Sequence, residues 1–222
     1  MLIPIRRYRE VTGFIFLGVP VDGFFTKNNH KFYQRAGLVI SRAITNALLF
    51  TRSKQRDQFE LTLEVLSQEN LKRRSFETTL DFCLGSLIDI LGVERSSLMR
   101  YDQKKKELKV CAAKGYKIYP IGGASIKWGE GIAGTALKDS KIISIAKMKD
   151  LKNSQTPEIK VKSLLCVPLT DVERPLGVVN LSTISYYKHF EKSDIEMAHH
   201  VISRMTHLLK ELSDNAPKSI AY

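Results

Sequence analysis

The chain has 222 residues, room for one large domain or two small ones, and with 43% apolar residues and only 13 Gly and 7 Pro it is globular rather than disordered or low in complexity. A formal net charge of +12 favours acidic partners. The densest basic runs, Arg6-Arg7-Tyr8-Arg9, Lys72-Arg73-Arg74 and Lys104-Lys105-Lys106, come without zinc-finger spacing, an aromatic RNA-binding box or a helix-turn-helix pattern. The charge therefore reads as a solvated surface, with no nucleic acid among the expected partners.

In chain order, Met1 to Val19 offers two strands, Leu2 to Arg6 and Val11 to Val19. The arginines before Gly13 to Val19 imitate a signal peptide, but Glu10 interrupts them and no small-x-small cleavage site follows. No run reaches the ~18 apolar residues that span a bilayer, so the expectation is a cytoplasmic protein with no membrane partner. From about Asn28 the pattern turns helical, with Phe32, Ala36, Val39, Ala43, Ala47 and Phe50 on one stripe and no proline or glycine between Leu38 and Lys72. A helix over 28–74 would be on the order of 65 Å long, more than one globular domain needs. Its heptad positions begin apolar and turn polar at Lys54 and Asp57, which predicts a dimerising helix with polar interruptions; a plain spacer is the alternative.

Ser75 opens a complete domain. Phe76, Leu80, Cys83, Leu84, Leu87, Ile88 and Leu91 predict an amphipathic helix that Gly92 stops. Arg95 to Tyr101 and Glu107 to Ala113 predict a hairpin, Lys114 to Ile126 a loop over a pocket, and Gly129 to Leu137 a glycine turn opening a short helix. Lys141 to Ile145 is a short strand and 146–162 a charged connection. Ser163 to Thr183 forms a second hairpin across Asp171 to Pro175, Glu191 to Leu212 the closing helix, and Ser213 to Tyr222 a tail that frays. Pro4, Gly13 and Leu17 recur at one constant offset as Pro168, Gly177 and Leu181; after a one-residue slip, Phe25 and Asn29 recur as Phe190 and Asp194. The chain thus reads as the tail of one domain followed by a whole second copy.

The succession W-G-E-G-I-A-G-T-A-L (128–137), K-I-I-S-I (141–145), V-K-S-L-L-C-V-P-L (161–169), P-L-G-V-V-N-L-S (175–182) and F-E-K-S-D (190–194) resembles a GAF domain. The resemblance covers about Ser75 to Leu212, and the first ~50 residues are similar to the last third of a second such domain. It implies an α+β fold, a GAF/PAS-like antiparallel sheet flanked by helices with a long N-terminal connecting helix. The implied organisation is a terminal hairpin (1–27), a linking helix (28–74), a complete domain (75–212) and a tail (213–222). The implied role is a bacterial regulatory module that binds a small molecule and relays conformation through a homodimer paired by helices 28–74 and 191–212; a ligand-free dimerisation or interaction module is the alternative.

Strand alternation selects candidates for the pocket. Leu176, Val178, Asn180 and Ser182 share one face of the last strand, and its hydrogen-bonding groups suit a ligand. Ser97, Met99 and Tyr101 share a face of the first strand, and Ser163, Leu165 and Val167 one face of the second hairpin's opening strand; of these Met99, Tyr101, Ser163 and Leu165 join Asn180 as candidates. Trp128, Ile132 and Ala133, with the amides of the Gly129 turn, either close the pocket and bind an anion or serve only turn and core.

Sharper functions find little support. The cyclic-nucleotide signature of the family is half absent, because Leu181 follows Asn180 and Ile195 follows Asp194. No cysteine has the setting of a bilin attachment. Some small members reduce free methionine sulfoxide with clustered cysteines, whereas Cys83, Cys111 and Cys166 lie on three different elements, an odd count without C-x-x-C spacing. His199 and His200 point about 100° apart and cannot face one metal together. No catalytic constellation, cofactor or metal is expected.

Overall fold

The computed structural model describes residues 1–7, 10–19, 24–67, 75–116, 125–147, 161–171 and 174–215. Most of the loop expected at 114–126 and of the connection at 146–162 lies outside them, as do residues 68–74 of the expected linking helix and most of the tail. The chain divides into two compact units, Met1–Arg56 and Asp57–Tyr222.

In the first unit, β1 (Leu2–Arg7) and β2 (Glu10–Phe16) form an antiparallel hairpin, and helix α1 (Lys27–Ser67) follows. Ile3 is buried against α1 at Gly37. Leu2, Phe14 and Phe16, at alternate positions, are exposed.

The second unit holds the end of α1, α2 (Phe76–Leu91), β3 (Arg95–Asp102), β4 (Glu107–Lys114), β5 (Ile126–Lys127), α3 (Gly131–Lys138), β6 (Ile143–Ile145), β7 (Ser163–Asp171), β8 (Arg174–Thr183) and α4 (Lys192–Asn215). Helix α2 starts where the Ser75 hydroxyl accepts a hydrogen bond from the Thr78 amide, which satisfies one of the free donors of its first turn. The six strands run in the order β5-β4-β3-β8-β7-β6, and every neighbouring pair is antiparallel.

One face of this sheet carries the main core. Leu98, Leu165, Val167, Val179 and Leu181 meet Leu84 and Leu87 of α2 and Val201, Ile202 and Met205 of α4. Each such side chain contributes roughly 1.5–3 kcal/mol by leaving water. The other face carries a smaller core, in which Met99, Leu108, Cys166 and Val178 meet Ala133, Ala136 and Leu137 of α3. The two faces are thus closed by different helices.

The register repeats between the units. In the first hairpin Pro4 stands opposite Phe14 and Ile5 opposite Gly13, and the ladder then slips at a bulge. In β7–β8 Pro168 stands opposite Val178 and Leu169 opposite Gly177, and the slip comes at the same place. A shared bulge position is a stronger likeness than shared prolines and glycines, because bulges re-aim the strand that follows.

Candidate functional site

The α3-facing side of the sheet gathers most of the expected residues. Residues directly opposite each other in an antiparallel pair share a face. Ser97 of β3 stands opposite Asn180 of β8, Asn180 opposite Cys166 of β7, and Cys166 opposite Ile143 of β6. One row of side chains therefore crosses four strands. The next row holds Met99 and Val178, both buried. Tyr101 continues the same face of β3, and its ring lies 4.9 Å from that of Trp128, tilted by 44°. Ile132, Trp128 and Tyr101 are half-buried against this smaller core, and Ala133 is inside it.

Two of the eight expected residues belong elsewhere, which corrects the expected site. Leu165 stands opposite Leu181 and lies fully buried in the core under α2 and α4. Ser163 stands opposite Thr183; its hydroxyl donates to the Ala146 carbonyl at 2.7 Å and accepts from the Lys188 amide at 2.8 Å, so it fastens chain ends. The physical reason is that β7 is apolar on both faces, which hides its phase. Leu164, Cys166 and Pro168 are its residues on the α3 side.

The Gly129 turn is also more occupied than its sequence suggests. The Gly129 amide donates to the Gly134 carbonyl and the Glu130 amide to the Lys127 carbonyl, so neither is free to hold an anion. Trp128 is fixed by its own amide, which donates to the Lys106 carbonyl at 2.9 Å.

Strand alternation already places Ser97 on one face with Met99 and Tyr101, and the structure sets it opposite Asn180. Ser97 is 96% buried, at 4% exposure, yet among the described residues neither its side chain nor that of Asn180 has a hydrogen-bond partner. Neither is among the fully enclosed side-chain atoms that lack a partner, so the Ser97 hydroxyl and the half-buried Asn180 amide keep access to solvent and to a ligand.

The three thiols are poor nucleophiles where they stand. Burial pushes Cys83 and Cys166 up to about 12, and burial also raises Cys111. His199 and His200 are exposed, with ring centroids 6.5 Å apart. Among the described residues no group of three His, Cys, Asp or Glu is placed to hold a metal, and no helix is long and apolar enough to cross a membrane.

A family model described as the GAF domain matches residues 73–209. Among solved structures, the chain is similar to the GAF domain of an Acinetobacter phosphoenolpyruvate-protein phosphotransferase, at 16% identity over 74% of this chain and 98% of that one, with a TM-score of 0.65. It is also similar to the GAF domain of the corresponding Coxiella burnetii protein, at 18% identity over 73% and 98%, with a TM-score of 0.60. A free methionine-R-sulfoxide reductase from Neisseria meningitidis, solved with its substrate, is similar at 15% identity over 74% and 93%, with a TM-score of 0.62. No curated protein matches the chain.

Proposed function

The chain belongs to the GAF family, and we propose that it is a regulatory module of a cytoplasmic signal-transduction protein that binds a small molecule on the α3 side of its sheet. The observation that carries this reading is the opposed pair Ser97 and Asn180, two side chains without protein partners among the described residues. An apolar surround with a few placed polar groups is the usual make-up of a small-ligand site, and Met99, Val178, Tyr101 and Trp128 supply the apolar part. The amide of Asn180 offers both a donor and an acceptor, and the Ser97 hydroxyl offers either. The ligand class that suits them is a small neutral or zwitterionic molecule with a flat apolar part for Tyr101 and Trp128.

Relay to the helices follows from the strands involved. Leu98, Val179 and Leu181 alternate with the proposed ligand contacts on β3 and β8 and pack under α2 and α4. A ligand that draws Asn180 toward α3 would move these residues with it and shift the helices. Chain pairing through α1 and α4 would pass the shift between two copies. Of the two helices, α1 leaves the apolar face open, with Phe32, Val39 and Phe50 exposed. The exposed positions of α4 include Glu196, His199, Ser203 and Arg204.

A thiol reductase is the second reading, because Cys166 stands beside Asn180. A buried thiol held at about 12 lacks the thiolate that such chemistry starts from, which favours binding without reaction. The test is equilibrium binding after a thermal-shift screen of small molecules. Asn180→Ala should weaken any ligand found at least tenfold while the melting temperature of the unliganded protein stays within a few degrees; unchanged affinity would overturn the assignment.

A further inference from the structure

Arg95 brings a cation to the α3 side of the sheet. Ser96 lies on the opposite face, where its hydroxyl donates to the Leu84 carbonyl of α2, so its strand neighbours Arg95 and Ser97 both belong to the α3 side. The register agrees: Arg95 stands opposite Ser182, and Ser182 opposite Leu164. A second polar row, Arg95 and Ser182, therefore runs beside Ser97 and Asn180, two residues or about 7 Å further along β3 and β8.

The fold offers this cation no acceptor. Arg95 is half-buried, and its Nε is enclosed without a hydrogen-bond partner. Among the described residues neither Nη meets an acceptor and no carboxylate lies within ion-pair distance of the guanidinium. The adjacent Glu94 is engaged elsewhere, its Oε2 accepting from the amides of Ile184 and Ser185 and its Oε1 from the Ser185 hydroxyl. A cation drawn partly out of water without an acceptor costs free energy, which a bound anion offsets. The Nη atoms are not enclosed, so they keep access to solvent and to a ligand.

Tyr116 holds the group in place. Arg95 Cζ lies 4.8 Å over the centre of the Tyr116 ring, a cation–π contact. That contact makes no demand on the N–H donors, which lie in the guanidinium plane and fit the two oxygens of a carboxylate. Lys162, just before β7, is already held: its Nζ donates to the Ser185 carbonyl and lies 5.5 Å over the Tyr187 ring.

Resting on the ligand reading of the α3 face, we propose that the ligand carries a carboxylate, bound by Arg95 with the Ser182 hydroxyl beside it, and extends a flat apolar group toward Tyr101 and Trp128. Ser182 is buried, and its hydroxyl has no partner among the described residues. One half-buried cation matches one negative charge, which selects a monocarboxylate over a phosphate ester. A phosphate dianion needs further donors, and the amides of Gly129 and Glu130 that could supply them are bound within their own turn. Ser97 and Asn180 by themselves fit a neutral molecule equally well; Arg95 is the residue that selects an acid.

The experiment is a calorimetric titration of the whole chain with benzoate, 4-hydroxyphenylacetate and indole-3-acetate, each beside its primary amide, in wild type, Arg95→Gln and Asn180→Ala. At least one acid should bind roughly tenfold or more tightly than its amide, Arg95→Gln should remove that preference, and Asn180→Ala should weaken acid and amide alike. Should Arg95→Gln fail to fold by circular dichroism, Arg95→Lys, which keeps the charge without the planar fork, must still lower the preference. An acid and amide that bind equally, or a preference that survives in the Arg95 variants, overturns the carboxylate assignment and leaves the α3-face site standing. Binding that Asn180→Ala does not weaken overturns the shared site and this inference with it. No binding by any of the three acids, or tighter binding of phenyl phosphate than of each of them, overturns the proposed class.

Discussion

Ser97 and Asn180 face each other directly across β3 and β8, on the side of the sheet that α3 closes. Their side chains contribute no hydrogen bond to the fold among the described residues, so their removal separates binding from stability. Asn180→Leu and Ser97→Ala should leave the stability of the unliganded protein unchanged to within about 1 kcal/mol, because no hydrogen bond to the fold is lost. Urea unfolding measures this; a loss of more than that amount would show that the two side chains hold the sheet.

Leu165 gives the opposite expectation. It is fully buried under α2 and α4, so Leu165→Ala should destabilise by roughly 2–5 kcal/mol through lost contacts and the cavity left behind. Ligand affinity at a temperature where the variant is folded should change little. Selective loss of affinity without loss of stability would place Leu165 in the site after all.

Gly177→Ala tests how closely β3 and β8 approach. The added methyl would sit against backbone, which cannot swing away as a side chain can. The variant should lose more than about 4 kcal/mol, at the extreme of what single substitutions cost, or fail to accumulate as folded protein. A Gly177→Ala protein with a normal melting temperature would contradict the pairing of these strands.

Glu94 ties the end of β8 to the start of β3, its Oε2 accepting from the amides of Ile184 at 2.5 Å and Ser185 at 2.9 Å. Desolvation, the largest influence, works against the charge, but the hydrogen bonds from Ser185 and Ile184 together outweigh it and hold the carboxyl below its ordinary value. A lowered folded-state value means that this stabilisation is fully present above the ordinary carboxylate range, near ~4.3, and is lost as pH falls through the lowered value. Glu94→Gln should therefore melt lower at pH 7 and show a smaller fall in melting temperature on acidification. Parallel acid profiles of variant and wild type would exclude the role.

The thiols supply a kinetic expectation. With Cys83 and Cys166 held near 12 by burial and Cys111 also raised, the native chain should react with a disulfide reagent at pH 8 far more slowly than the same chain in denaturant. One cysteine reacting in the native state at the rate of a free thiol would revive the reductase reading.

The sequence carried the elements with clear punctuation. Ser75 and Gly92 bracket α2 as their capping chemistry requires, and the prolines and glycines matched between the two hairpins hold equivalent register positions, whereas the bulge both ladders share was not legible in them. It did not carry the phase of β7, since Leu164, Leu165, Cys166 and Val167 are apolar on both faces and alternation alone cannot tell which face meets α3. Alternation alone put Ser97 on the strand face of Met99 and Tyr101, and only the register supplied its cross-strand partner, Asn180. The sequence left the amides of Gly129 to Ala133 open to either role, because turn-internal bonds such as those from Gly129 and Glu130 depend on geometry that composition does not fix.

The most direct test of a ligand on the α3 face is the mass of the whole chain after incubation with a small-molecule cell extract, recorded under native conditions and again after denaturation. The account predicts an added mass that is present only in the native spectrum, that survives in Leu165→Ala and that is lost in Asn180→Ala. Chain mass alone under native conditions, or an added mass that Asn180→Ala retains, would contradict it.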